Sequence, residues 1–417
     1  MRKALTFSVF IFIALFSLLG ILGNVPLVKA QKEDHVPGRV LIKFKSNTSA
    51  EDIQKEINNH RAKVVEKLEA LDTFILQVPD KAEEKVATAL SRNPKVEYAE
   101  LDFFAEAFFS ANDTYFANRQ WGLENTGQAI GGVVGKDDAD IDASLAWDTN
   151  HGSSKVAILD TGIRLSHQDL AGKVTDSRDF TGSSTGTNDI YGHGTHVAGI
   201  VAANTNNGMG VSGVCPGCTL LNGKVLNDSG SGAYSWIANG ITWAVSGGAK
   251  VINLSLGGSS RSSTLENAVN YAWNNGVLVV AAAGNSNNPS KTYPAAYTKA
   301  IAVAATNNLD QRAYFSSYGS KWVDVAAPGL YIFSTWKDPV SNSNPQPECD
   351  LSGCYKYASG TSMSTPVVSG VAGLIWSSAY GTSASSVRTR MESTADPISG
   401  TGTYWSKGRV NAARALQ

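Results

Sequence analysis

Two kinds of apolar spacing divide the chain. Between residues 37 and 104 short alternating runs predominate, and 39–44, 63–68, 73–78 and 96–101 read as strands with one buried face. Ile53 and Ile57 have helical spacing within 50–60. A second helix-like run ends at Arg92, with Asp80 placed to cap its start. The order is βαββαβ, a small ferredoxin-like α+β module. From Ser154 onward the apolar runs become continuous. Residues 155–159, 251–256, 277–282 and 300–305 read as strands buried on both faces, with helices at 234–246 and 263–274. This alternation predicts an α/β fold, a mostly parallel central sheet with helices on both faces. Functional groups in such sheets collect at the strands' carboxyl ends.

Charge changes with the pattern. Residues 31–109 hold 27 charged side chains in 79 positions, whereas 110–417 hold 41 in 308, which sets a domain boundary near residue 110. The formal net charge of −1 gives no electrostatic case for a nucleic-acid partner. Arg2 and Lys3 precede an apolar run at 5–22, and Val28-Lys29-Ala30 has small residues where a signal peptidase reads. The expected organisation is a cleaved signal peptide at 1–30, the module at 31–110 and the main domain at 111–417, in a secreted protein. A retained membrane anchor is the alternative. The four cysteines fall in two close pairs, Cys215/Cys218 and Cys349/Cys354. In an exported chain local disulfides are favoured, although other connectivities and a zinc site stay open.

Three segments carry candidate chemistry. Asp160-Thr161-Gly162 follows a buried strand, Gly192-His193-Gly194-Thr195-His196 puts a histidine where a helix begins, and Gly360-Thr361-Ser362-Met363 puts a serine ahead of an apolar helix at 367–376. A serine hydroxyl becomes a useful nucleophile when a neighbouring base takes its proton. Imidazole can take that proton and return it, and a carboxylate on its other nitrogen fixes the tautomer. Singly, each residue is better explained as a cap, a turn former or a solvated side chain. Two competing readings fail on spacing. His193 and His196 are three apart with Gly194 where a zinc protease needs glutamate. Ser362 lies in Gly-x-Ser-x-Ser and comes last, unlike the nucleophile of an α/β-hydrolase.

These three segments, in this order, resemble those of the subtilisin-like serine proteases, especially the thermitase-type bacterial members, over about residues 112–417. The upstream module resembles that family's inhibitory propeptide. The resemblance implies a serine endopeptidase acting through an acyl-enzyme, with Asp160, His193 and Ser362 as triad. It implies Asn285, in Ala282-Ala283-Gly284-Asn285, as side-chain donor to the oxyanion beside the Ser362 N–H. Ser255, Leu256 and Gly257 would pair with an extended substrate by strand addition. Ser231, Gly232 and Tyr234 would form the opposite wall, with broad cleavage after large apolar residues. The segment 204–211 resembles the family's calcium loop: Asp113, Asp169 and Asn207 would offer side chains, and Asn204, Met209 and Val211 carbonyls, as a hard cation requires. The expected partners are protein or peptide substrates and the chain's own propeptide, an intramolecular inhibitor and folding aid, around a monomer. Self-cleavage is expected between about Phe108 and Asn112. A non-catalytic binding protein on the same fold is the rival class, and it would need a missing triad member or a blocked groove.

Overall fold

The computed structural model describes residues 35–104, 109–338 and 346–417. The expected signal peptide and part of the expected processing stretch lie outside them. Chain contacts gather into two units that divide between Ala107 and Phe108.

The first unit runs β1 (His35–Phe44), α1 (Ala50–Asn59), β2 (Lys63–Leu68), β3 (Thr73–Gln77), α2 (Glu83–Ser91) and β4 (Val96–Phe103). Its sheet order is β2-β3-β1-β4, with every pair antiparallel. This is the split βαβ arrangement that the alternation predicts. Alternate residues Val40, Ile42 and Phe44 of β1 enter a core with Ile57, Leu76 and Leu90. One boundary differs from expectation. Asp80 does not cap α2; Ala82 does, without a side-chain bond. Lys81 turns into the left-handed region at φ 61°, and the Ala82 N–H closes on the Pro79 carbonyl, so Asp80 is spent inside a turn. The buried carboxylate of Glu83 instead accepts the Gly38 N–H.

The second unit opens with α3 (Phe116–Arg119), a hairpin of β5 (Ala129–Ile130) and β6 (Val133–Val134), and α4 (Ala143–Thr149). Then follow β7 (Lys155–Asp160), β8 (Val174–Asp179), α5 (His193–Ala202), β9 (Thr219–Lys224), α6 (Tyr234–Ser246), β10 (Val251–Leu254), α7 (Ser263–Asn274), β11 (Leu278–Ala282), β12 (Ala300–Thr306) and β13 (Val325–Pro328). The chain closes with β14 (Ile332–Trp336), β15 (Glu348–Asp350), β16 (Gly353–Ala358), α8 (Thr361–Trp376), α9 (Ala384–Ser393) and α10 (Ala412–Leu416). Seven strands form one parallel sheet in the order β13-β12-β11-β10-β7-β9-β8.

Both faces of this sheet are covered, which is why its strands read as unbroken apolar runs. Val156 and Ile158 of β7 enter one core with Val197 of α5 and Leu374 of α8. Ala157 and Leu159 enter the other with Ile241 of α6 and Val269 of α7. The fold departs from the predicted boundaries at two places that matter below. The strand from Val251 ends at Leu254, and the helix expected at 367 begins at Thr361. A second antiparallel sheet, β14-β16-β15, has no counterpart in the predicted elements. Both local cysteine pairs are disulfides, Cys215–Cys218 and Cys349–Cys354.

Leu374 is fully buried where α8 meets the sheet. Leu374→Ala should cost about 2–5 kcal/mol, the range for a large-to-small change in a packed core. A lowered thermal midpoint in calorimetry, with unchanged far-ultraviolet circular dichroism, checks this.

Candidate active site

Asp160 is the last residue of β7 and is fully buried; His193 is the first of α5. His193 Nδ1 lies 2.7 Å from Asp160 Oδ1. An ionised carboxylate only accepts, so Nδ1 carries the proton and Nε2 is left with a free lone pair. The approach depends on Gly194. A Cβ there would overlap the Gly162 carbonyl oxygen and stand 3.1 Å from Asp160 Cβ. Asp160 Oδ1 also accepts the Thr161 N–H at 2.7 Å. The His193 side chain keeps 21% of its surface exposed. Burial opposes its protonation, but the charge and hydrogen bond of Asp160, with the charge of Asp189, outweigh that cost and raise its pKa above the ordinary 6.5.

Ser362 is the second residue of α8, where backbone N–H groups have no partner inside the helix. Pro366, four residues on, has no N–H to give the Ser362 carbonyl. The Ser255 hydroxyl supplies the missing bond at 2.8 Å. That bond sets the direction of a buried chain. Since Ser255 spends its proton on Ser362, it accepts from Asn253 Nδ2 at 3.0 Å, and Asn253 Oδ1 accepts from the Ser369 hydroxyl at 2.9 Å. Asn253 and Ser369 are fully buried. The Ser362 hydroxyl itself donates to the Ser255 carbonyl at 3.1 Å.

Asn285 follows β11. Its Oδ1 accepts the Thr361 N–H at 2.9 Å and the Thr361 hydroxyl at 3.0 Å. A backbone N–H can only donate, so the oxygen must face Thr361 and the amide nitrogen is turned outward. A Cβ at Gly360 would stand 3.2 Å from Asn285 Nδ2 and 3.6 Å from the Ser362 nitrogen, so these two donors border one point.

A cleft of about 420 Å³ runs past His193. Ser231, Gly232 and Tyr234 line it together with Ser255, Leu256 and Gly257. Because β10 ends early, residues 255–257 leave the sheet, with Ser255 buried, Leu256 half-buried and Gly257 exposed. The Tyr234 hydroxyl donates to the Ser260 carbonyl at 2.9 Å, tying the two walls. Tyr191 and Leu226 also line the cleft, with no motif to single them out in the sequence.

The loop 204–211 gathers the other predicted set. Asp113 and Asp169 are buried, and both accept from it: Asp113 from the Asn206 and Asn207 N–H groups, Asp169 from Asn207 Nδ2 at 3.1 Å and the Val211 N–H at 2.8 Å. Burial first, and the charge of Asp113, push Asp169 up to about 7. The carbonyls of Gly208, Gly210 and Ser212 accept from Thr114, Tyr115 and Gln120. Those of Asn204, Met209 and Val211 accept no hydrogen bond among the described residues. Asn207 presents its nitrogen to Asp169, since its Oδ1 takes the Met209 N–H. Among the described residues no three His, Cys, Asp or Glu side chains converge as a metal group.

Two neighbours of the site escaped sequence reasoning. Asp189 is 1% exposed and accepts the Gly192 N–H at the N-cap and the Thr195 N–H in the first turn of α5, and Lys224 is fully buried with Nζ 2.6 Å from the Thr161 carbonyl. The spacing Asp-x-x-Gly-His, an acceptor just ahead of a helix start, is the signal that could have found Asp189. His196 is buried with Nε2 on the Lys356 carbonyl at 2.9 Å, and burial pushes its pKa down to about 3.

The model of the Subtilase family matches residues 152–413, and that of the fervidolysin N-terminal prodomain matches 23–102. The chain is 50% identical over 310 residues to thermitase of Thermoactinomyces vulgaris, covering 74% of this chain and 100% of that protein. It is 40% identical over 391 residues to the thermophilic serine proteinase of Bacillus sp. (strain AK1), covering 93% and 90%. A solved protease structure from Pseudoalteromonas arctica matches with a TM-score of 0.63 and 33% identity, over 74% of this chain and 99% of that one.

A base must be neutral to accept a proton, so a raised His193 pKa puts the acid limb of the rate profile above pH 6.5. Asp160→Asn removes both the charge and the tautomer control. It should lower kcat by roughly 10⁴ and move the limb to lower pH; kcat and kcat/KM measured from pH 5 to 10 check both.

Proposed function

The chain belongs to the subtilase family, as a serine endopeptidase with an N-terminal prodomain, and from that premise we propose that Asp160, His193 and Ser362 cleave peptide bonds through an acyl-enzyme. The observation that carries this reading is the 2.7 Å contact between His193 Nδ1 and Asp160 Oδ1, with the serine at a helix N-terminus beside two unspent donors. His193 Nε2 takes the Ser362 proton as Oγ attacks the substrate carbonyl, and returns it to the leaving amine. Asp160 holds the imidazole in the required tautomer and stabilises the imidazolium. Asn285 Nδ2 and the Ser362 N–H receive the developing oxyanion, an arrangement in which each donor is typically worth about 10²–10³ in turnover.

Substrate lies extended along Ser255, Leu256 and Gly257, a segment past the end of β10 that would offer main-chain hydrogen bonds. The wall of Ser231, Gly232 and Tyr234 faces it. The strand end leading to the first pocket, Ala281 to Gly284, is small and uncharged, which favours large apolar residues before the scissile bond and broad specificity. Residues 31–110 act as inhibitor and folding aid, and self-cleavage between about Phe108 and Asn112 yields a catalytic domain at 111–417. Export through a cleaved signal peptide at 1–30 completes the reading, with the protein acting outside the cell as a monomer.

Calcium fits the loop at 204–211. Asp113 and Asp169 would supply hard carboxylate oxygens, and the carbonyls of Asn204, Met209 and Val211 accept no hydrogen bond among the described residues. Asn207 would turn its amide to add an oxygen. A divalent cation there would relieve the repulsion and burial that push Asp169 up.

Two experiments test these assignments. A fluorophosphonate probe should label the processed enzyme once, and Ser362→Ala should abolish labelling and leave the precursor uncut; efficient processing of that variant in a host lacking other proteases would refute self-cleavage. A chelator should lower the thermal midpoint and added Ca²⁺ should restore it, by RT ln(1 + [L]/Kd) in stability. No shift would remove the metal assignment.

A further inference from the structure

The turn before α5 holds a second carboxylate beside the proposed base. Asp189 Oδ1 accepts the Gly192 N–H at 2.7 Å, the Tyr191 N–H at 3.0 Å and the Thr161 hydroxyl at 3.0 Å. Its Oδ2 accepts the Thr195 N–H at 2.9 Å and the Thr195 hydroxyl at 2.7 Å. Five donors, none of them cationic, converge on this one buried carboxylate.

The arrangement does more than end a helix. Gly192 is the N-cap and has no side chain, so the first-turn amides of α5 must find acceptors elsewhere. Asp189 takes that of Thr195. Thr161 Oγ1 takes that of Gly194 at 2.9 Å while giving its own proton to Asp189. Thr161 is also the residue after Asp160 and donates its N–H to Asp160 Oδ1. Through this one threonine the carboxylate joins the end of β7 to the start of α5, the two elements that carry Asp160 and His193.

We propose that Asp189 is a positioning residue for His193: it pins the start of α5 to the end of β7, and its charge favours the imidazolium that forms as Ser362 attacks. This rests on the reading of His193 as general base. A buried anion close to a cation that exists only along the reaction path stabilises the transition state more than the ground state.

Other charges near His193 are accounted for. From β7, Asp160 contacts it directly. On α5 itself, His196 is held neutral by burial. From β9, Lys224 is satisfied by the Thr161 and Asn188 carbonyls and by Asp228. Lys337, after β14, donates to the Ile190 carbonyl, and Lys356 of β16 sits over the Trp336 ring. Arg164 pairs with Asp338. Helix α8 brings no charged residue. Burial acts against protonation of His193, and the charges of Asp160 and then Asp189 act for it, with the net effect upward.

The test is Asp189→Asn in the full-length precursor, followed through processing. Fluorophosphonate titration counts competent Ser362, peptide hydrolysis gives kcat and KM against pH, and alkylation by a peptidyl chloromethyl ketone reads the His193 titration directly. Expected are a kcat lower by roughly 2- to 30-fold, the span for losing one charged helix-start contact, a KM within about twofold, and an acid limb displaced to lower pH in both hydrolysis and alkylation. An unmoved limb, whatever happens to the thermal midpoint, reduces Asp189 to a structural cap and overturns the proposal. If Asp189→Asn does not mature, Thr195→Val removes one of the five donors while keeping the shape. It should lower kcat at constant KM, with Thr195→Ser restoring it; a Thr195→Val enzyme as active as the parent also overturns the proposal. A parent that fails to label with fluorophosphonate would instead refute the triad, so the two failures are distinct.

Discussion

The hydrogen bond between Asp160 and His193 is the constraint around which the second unit is built. One partner ends a central strand and the other begins a helix, and 2.7 Å between their side chains leaves no room for a Cβ at position 194. The contact is costly to assemble, because it buries a carboxylate completely. The surrounding backbone offsets part of that cost at Oδ1, while Oδ2 is buried with no hydrogen-bond partner among the described residues. Asp160 Oδ1 accepts a main-chain N–H, and the turn before α5 is tied to the strand end through Thr161 and Asp189. The chemistry proposed for the site therefore depends on how a parallel sheet delivers strand ends and helix starts to one edge.

The same economy governs Ser362. A proline inside the first turns of α8 would ordinarily weaken a helix, but here it leaves the carbonyl of Ser362 free to be claimed by Ser255. The result links the serine to the segment proposed to hold substrate, and through Asn253 and Ser369 to the interior of the helix and sheet. Asn285 is oriented by the same rule: its oxygen is taken by Thr361, so its nitrogen is what remains. In both places a fixed backbone group decides which way a side chain faces.

Much of the architecture was legible because it follows from local periodicity. Unbroken apolar runs at 155–159 and 300–305 imply strands covered on both sides, and the two cores receive alternate residues of each. The alternating runs of the first unit likewise lead to its antiparallel sheet. Strands β8, β9 and β13 to β16 have no counterpart in the predicted elements, and the differences within the predicted elements fall at their ends. Asp80 looked like a cap but is consumed in a turn, and the run at 251–256 is apolar past the point where the chain leaves the sheet. Periodicity cannot see either, because both depend on what a neighbouring segment offers.

The sequence by itself determined the βαββαβ order of the first unit, four of the seven strands of the central sheet, the short motifs at 160–162, 192–199 and 360–366, and the family they resemble, since each is a matter of residues close along the chain. Tertiary structure alone decided the distances among them. It also decided that Asp189 would serve both Thr161 and Thr195, that β14, β15 and β16 would pair beside the candidate calcium loop, and that the carbonyls of Met209 and Val211 would accept no hydrogen bond among the described residues. Apart from the Asp189–Thr195 contact, six positions apart, these outcomes rest mainly on residues separated by tens to hundreds of positions. Their geometry is set by strand register and by packing on both faces of the sheet, which leave little local signature beyond the Asp-x-x-Gly-His spacing at Asp189.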